Sequence, residues 1–343
     1  MYPILDAAKA HVIRFAAGSR LKISNHSSEN SVYEKLPTNQ IQMSASLPKN
    51  AAVLLLVCSF HSCQKKLTEE EALKHTVQSQ VDSIDGTVAV AFYDLSDPKD
   101  SLFINVDEKF HAASTMKVPV MIELFKQANQ GKINLDDSIL LRNEFKSIVD
   151  GSLYRMDIAD DSDDVVYRQV GTPVAVKDLM HSMIAVSSNL ATNVLIERVD
   201  AKKVTATMKD LGAVNMEVLR GVEDQKAYDQ GLSNSTTARD LLLIMKAIAD
   251  STAGTPEDCT TMIDVLKAQQ FNDMIPRYLP EEVSVAHKTG FITGIHHDAA
   301  IVYLPDGRAY VLVLLSKALK DFDKGTEQLA QLSKTVYDYM MNK

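Results

Sequence analysis

The chain has 343 residues, 45% of them apolar, which is enough for one large two-part domain with a full hydrophobic core. Its formal charge of -9, with no Lys/Arg-rich run against that acidic balance, excludes a nucleic-acid surface and leaves small molecules as the natural partners. Three cysteines (Cys58, Cys63 and Cys259) build no disulfide framework, and no motif around Cys259 would make it a nucleophile.

Near the start, Lys49-Asn50 precede the apolar run AAVLLLVCSF (residues 51–60), which is too short to span a bilayer as a helix and reads as a signal peptide over residues 43–62. Phe60-His61-Ser62-Cys63 resembles a bacterial lipoprotein cleavage box, with a small residue before the cysteine. Cys63 would then be the lipidated first residue of a protein exported to the cell envelope or periplasm, touching the membrane only through that anchor. Met43 suits such a signal better than Met1, so residues 1–42 are expected to be an upstream extension from a start codon set too early.

From Thr68, EEEALKHTVQSQVDSI carries acids at its start and apolar residues at helical spacing, giving a first helix that ends before Gly86. Thr87 to Leu95 and Ser101 to Val106 are β-branched apolar runs around an Asp-Pro turn, a hairpin pattern. Ala112-Ala113-Ser114 lead into an apolar-periodic stretch from Val118 to Gln130, so Ser114 is expected at a helix N-terminus, where backbone N–H groups are free. Residues 134–250 are mostly helical, with no hairpin. The pattern returns to β at Val283 to Thr289, Ala299 to Leu304 and Tyr310 to Ser316, and a last helix follows.

The predicted fold is therefore α/β of the α+β type. An antiparallel sheet drawn from both chain ends (68–133 and 255–343) is flanked by helices, residues 134–254 form a helical lobe, and the active site lies in the cleft between. The acidic stretch Asp157 to Asp164 lacks the Gly and distal Glu of a calcium loop and reads as a solvated loop. His296-His297-Asp298 has no second ligand cluster at metal spacing, so neither metal nor cofactor is expected. The insertion around Gly151 to Val170 has no role legible in its residues.

Five serines, Ser19, Ser46, Ser62, Ser96 and Ser114, are followed three residues later by lysine. The first three precede the expected mature chain and Ser96 lies in a turn, so only Ser114 opens a helix. One helical turn places Lys117 on the same face, where an amine can take the hydroxyl proton. Ser187-Ser188-Asn189 and Lys288-Thr289-Gly290 follow in order.

This trio resembles the serine, Ser-Asp-Asn and Lys-Thr-Gly elements of class A β-lactamases and penicillin-binding proteins, and the resemblance runs from about Thr68 to the C-terminus. It implies Ser114 as nucleophile, Lys117 as base, and Ser187 as proton relay to the leaving nitrogen. Asn189 would hold the substrate amide, Lys288 would supply positive charge, and Thr289 would bind the substrate carboxylate beside Gly290. The backbone N–H groups of Ser114 and Phe291 would form the oxyanion hole. Ser188 stands where the family has Asp. Glu223, in Arg220-Gly221-Val222-Glu223-Asp224, is the expected activator of the deacylating water, although the family's Glu-x-x-Leu-Asn sequence is absent; its competing role is a surface pair with Arg220 or Arg239. The resemblance implies a monomeric hydrolase of β-lactam rings, with a D-alanyl-D-alanine peptidase or a penicillin sensor as alternatives.

Overall fold

In the computed structural model, residues 67–343 are described; the signal-peptide and Cys63 expectations lie outside them. Helix α1 (Glu69–Asp82) begins with a capping box, Thr68 and Glu71 each satisfying the other's backbone N–H, so the acids seen in sequence close the helix start. Then come β1 (Thr87–Asp94), β2 (Ser101–Ile104) and β3 (Phe110–His111), a 3-10 turn (Ala113–Met116), and α2 (Lys117–Asn129). The middle of the chain holds β4 (Ser138–Leu140), β5 (Phe145–Lys146), β6 (Leu153–Tyr154), α3 (Asp164–Tyr167) and β7 (Pro173–Ala175). It continues through α4 (Val176–Ala185), α5 (Asn189–Val199), α6 (Ala201–Asp210), α7 (Gln225–Asp229), β8 (Ser235–Thr236) and α8 (Ala238–Ala249). Last are α9 (Pro256–Lys267), β9 (Ser284–Ile292), β10 (Ile295–Tyr303), β11 (Ala309–Lys317) and α10 (Phe322–Asn342).

The main sheet is antiparallel, in the order β2-β1-β11-β10-β9, so the first and last strands of the chain do meet, with Thr87 opposite Lys317. Alternation along each strand feeds two cores. Val88, Val90, Phe92, Leu312 and Leu314 face α1 and α10, while Ala89, Ala91, Val311 and Val313 face α8 and the helices beyond it.

Three details differ from the sequence expectation. The middle region does contain a hairpin, β5 with β6, and a further pair, β4 with β7; strands of two or three residues are too short to show a period of two. Helix α8, expected in the helical lobe, lies on the sheet, because Leu241, Ile244, Met245 and Ile248 make its apolar stripe and bury it against β1, β10 and β11. Ser114 sits in the 3-10 turn, one turn ahead of α2. Cys259 is a buried, unpaired thiol.

Candidate active site

The turn that carries Ser114 is held tightly. Thr115 Oγ1 donates to Ala112 O at 2.6 Å, and the Ala113 N–H donates to His111 Nδ1 at 3.0 Å. Ala113 has φ of +45°, a left-handed conformation that costs a non-glycine residue roughly 1 kcal/mol. Ser187 (φ +59°) and Glu223 (φ +61°) share that strain. Three expected site residues or their neighbours thus hold unfavourable backbone, as do Asn105, Asp200, Ser251 and Ala318 among the described residues. Ser114 itself is half-buried, and its hydroxyl has no hydrogen-bond partner among the described residues.

Lys117 is fully buried at the start of α2. Its Nζ reaches Ser187 O at 2.6 Å, Asn189 Oδ1 at 2.9 Å and Ser187 Oγ at 3.1 Å. Burial holds its amine down to about 7, against the opposing pull of the Asp161 and Glu223 carboxylates. Near neutral pH a large fraction is therefore free amine, able to accept a proton. Lys288, equally buried on β9, donates to the same Ser187 Oγ at 3.1 Å and to Thr289 O at 2.9 Å. Burial and the neighbouring Lys117 push it well below the ordinary lysine range, with Asp298 opposing them. The Ser187 hydroxyl is thus a bridge between two buried amines, a continuous route for a proton.

β9 is the edge of the main sheet, so one of its sides is unpaired. A two-residue loop, Thr293-Gly294, joins it to β10, which makes Ile292 opposite Ile295 the hydrogen-bonded closing pair. Phe291 opposite His296 is then a non-bonded pair. The His296 N–H accordingly donates to Ser316 Oγ, and the Phe291 N–H points to the free edge. Gly290 brings that edge against the serine turn: a Cβ there would lie 3.1 Å from the backbone N of both Ser114 and Thr115. Thr289 is 5% exposed at the same place. The Phe291 ring is 63% exposed and packs edge-on against Phe322.

Glu223 lies on the far wall, where its Oε1 accepts from Asn189 Nδ2 at 3.3 Å. Partial desolvation and the carboxylates of Asp160 and Asp161 raise its carboxyl above the ordinary value, while Lys117 and Arg220 oppose the shift. Neither arginine claims it by hydrogen bond: Arg239 takes Asp107 with both arms, and Arg220 donates to the carbonyls of Leu232 and Gly221. Hydrogen bonds therefore join Lys117, Ser187, Asn189, Glu223 and Lys288 in one cluster, and the strand that carries Lys288, Thr289, Gly290 and Phe291 runs against the turn that holds Ser114.

The Glu223 loop depends on residues with no mark in the sequence. Asn193 clamps Val222 through both backbone groups, Oδ1 accepting at 2.6 Å and Nδ2 donating at 3.0 Å, while Tyr154 OH also donates to Val222 O. Asp224 accepts from Ser147 and caps α7. The one available signal for Asn193 is its spacing, one helical turn beyond Asn189 on α5. The acidic stretch is more than a solvated loop: Asp157 and Asp163 cap short helical turns, and Asp161 accepts from the N–H groups of Asn189 and Leu190. His296 and His297, as neighbours on a strand, face opposite ways, toward Thr326 and toward the His111 carbonyl.

A five-stranded sheet packed with helices, a helical lobe and this cluster form the architecture shared by β-lactamases and penicillin-binding proteins. Residues 71–340 match the model of the β-lactamase enzyme family, and the chain belongs to that family. Among curated relatives, it is 24% identical to the extended-spectrum β-lactamase PER-1 of Pseudomonas aeruginosa, over 85% of this chain and 94% of that one. It is also 24% identical to a β-lactamase of Bacillus licheniformis, over 84% and 94%. Among solved structures, a β-lactamase from Sphaerobacter thermophilus superposes with a TM-score of 0.67 at 25% identity, over 78% of this chain and 97% of that chain. A mutant of PBP-A, solved as an acyl-enzyme complex with penicillin G, superposes with a TM-score of 0.69 at 27% identity, over 79% and 97%.

Proposed function

We propose that the chain is a serine β-lactamase of the class A type, acting as a monomer. Ser114 Oγ attacks the β-lactam carbonyl while the Lys117 amine takes its proton. The ring C–N bond breaks, the nitrogen takes a proton through Ser187, and the acyl group remains as an ester on Ser114. The N–H groups of Ser114 and Phe291 hold the developing oxyanion. Lys288 and Thr289 receive the substrate carboxylate, Asn189 its amide, and Gly290 keeps the strand close to the nucleophile. Glu223 then takes a proton from the water that attacks the ester, which frees Ser114. A carboxyl raised above its ordinary value suits that base.

The observation that carries this reading is Lys117, buried, held to about 7 and in hydrogen-bond contact with Ser187 and Asn189. Mass spectrometry after incubation with penicillin tests it. The wild type should turn over a chromogenic cephalosporin, Ser114→Ala should take up no adduct, and Glu223→Ala should trap the acyl-enzyme on Ser114. The likeness to PBP-A keeps a second reading in play, a D-alanyl-D-alanine peptidase or penicillin sensor using the same acylation groups. Wild-type protein that accumulates adduct without turnover would decide for it, and cleavage of a D-Ala-D-Ala peptide would separate peptidase from sensor.

The sequence also supports export and lipid anchoring at Cys63. Metabolic labelling with palmitate should mark the wild type and spare Cys63→Ala; label retained by that variant refutes the anchor.

A further inference from the structure

Two of the acylation groups, Ser187 with its strained backbone and Asn189 at the first position of α5, stand at the α4–α5 junction, and the loop of residues 157–164 grips that junction from outside. Asp161 Oδ1 accepts the Asn189 N–H at 3.0 Å and Oδ2 accepts the Leu190 N–H at 2.8 Å. One residue further along, Ser162 Oγ donates to the carbonyl of Val186. Residues 187–189 are therefore bracketed on both flanks by one short segment. Ser188, where the related motifs carry an acid, caps α5 only weakly, accepting from Ala191 N at 3.3 Å. The negative charge that complements the start of this helix comes instead from Asp161, 28 residues upstream.

We propose that Asp161 is a positioning residue of the acylation apparatus, holding the backbone of Asn189 so that its side-chain oxygen meets Lys117 Nζ, and setting the charge that Lys117 faces. The inference rests on the β-lactamase reading for its kinetic consequence, and on geometry alone for its placement. The charged groups facing Lys117 are Asp161 and Glu223, which favour its ammonium form, and Lys288, which disfavours it. Glu223 in turn faces Asp160, Asp161, Lys117 and Arg220. Removing the Asp161 charge withdraws one of the two carboxylates that support the Lys117 ammonium, so the amine becomes free at lower pH.

The test compares Asp161→Asn, Asp161→Ala and Asp161→Glu with the wild type. Lysine Nζ/Cε NMR titration of the substrate-free protein, with the Lys117 signal assigned through Lys117→Arg, should show the midpoint falling by about half a pH unit in Asp161→Asn. Acylation by penicillin should slow about tenfold or more in the Asn and Ala variants, with its pH midpoint moved down in step, and Asp161→Glu should recover part of both. A purely structural role would lower the melting temperature and leave the Lys117 midpoint in place. Folded Asp161→Asn protein with an unmoved midpoint overturns the proposal. If wild-type Ser114 takes no acyl group at all, the β-lactamase reading fails, while the titration still decides the placement of Asp161.

Discussion

Lys117 and Lys288 share one hydroxyl, Ser187 Oγ, and both are buried. Two ammonium groups so close repel, and the cheapest relief is for one to give up its proton. Both amines are lowered, Lys117 to about 7 and Lys288 well below the ordinary lysine range; what distinguishes Lys117 is its place, one turn after Ser114. As base it must be neutral, so acylation should rise with pH through about 7 and level off above it, with the rate of adduct formation as the measurement. A flat profile from pH 5 to 9 refutes Lys117 as the base. Gly290 makes a second residue-scale prediction. In Gly290→Ala the added methyl meets backbone on two sides, neither of which is a flexible side chain. The strand must back away from the serine turn, and acylation should fall about a hundredfold while circular dichroism stays near wild type.

At the scale of elements, the loop from Arg220 to Asp224 borrows its shape from α5. Gly221 packs so closely on Asn193 that a Cβ there would lie 2.2 Å from Oδ1. Asn193→Ala leaves the Val222 N–H without its side-chain acceptor, so stability should drop by about 1–3 kcal/mol in urea denaturation. Because Glu223 follows Val222 directly, deacylation should suffer more than acylation, and adduct should build up in the variant. Equal loss in both steps would mean that the clamp serves the whole site and not the Glu223 loop alone.

Long runs such as Ala299 to Leu304 announced their strands, since nine-residue strands buried on both faces read as nearly unbroken apolar runs. The motif serines and lysines announced the site by their order along the chain: Ser114 and Lys117 span the turn into α2, Ser187 lies between α4 and α5, and Lys288 is a charge inside strand β9. Asp161 and Asn193 did not: one is among several aspartates in its stretch, the other one of several polar residues on α5, and only the contact across the fold distinguishes them.

On the scale of the molecule, the two ends of the domain are fastened by charge as well as by strand pairing. Lys343 Nζ lies 2.9 Å from Asp94 and 2.7 Å from Asp100, carboxylates that are 1% and 2% exposed, and Tyr339 OH donates to Asp100. Taking away one partner of such a set strands buried charge, so Lys343→Ala should cost about 2 kcal/mol, discounted for the lysine's partial exposure. Urea midpoints measure it, and no change in midpoint would show that the remaining donors, Tyr339 OH to Asp100 and the Ser96 N–H to Asp94, suffice together with solvent.

The pairing of β1 with β11 also governs when the site can assemble. Thr87 has to find Lys317 across most of the chain, and β9 and β10 reach their places only through β11. Ladders closed over such sequence separations form slowly, because a large loop must be ordered before any contact rewards it. Helices such as α8 need no such wait. On dilution from urea, the helical signal should recover first and penicillin uptake should lag behind it, so that, on the β-lactamase reading, a newly made chain cannot be acylated until its last strands have been synthesised and docked.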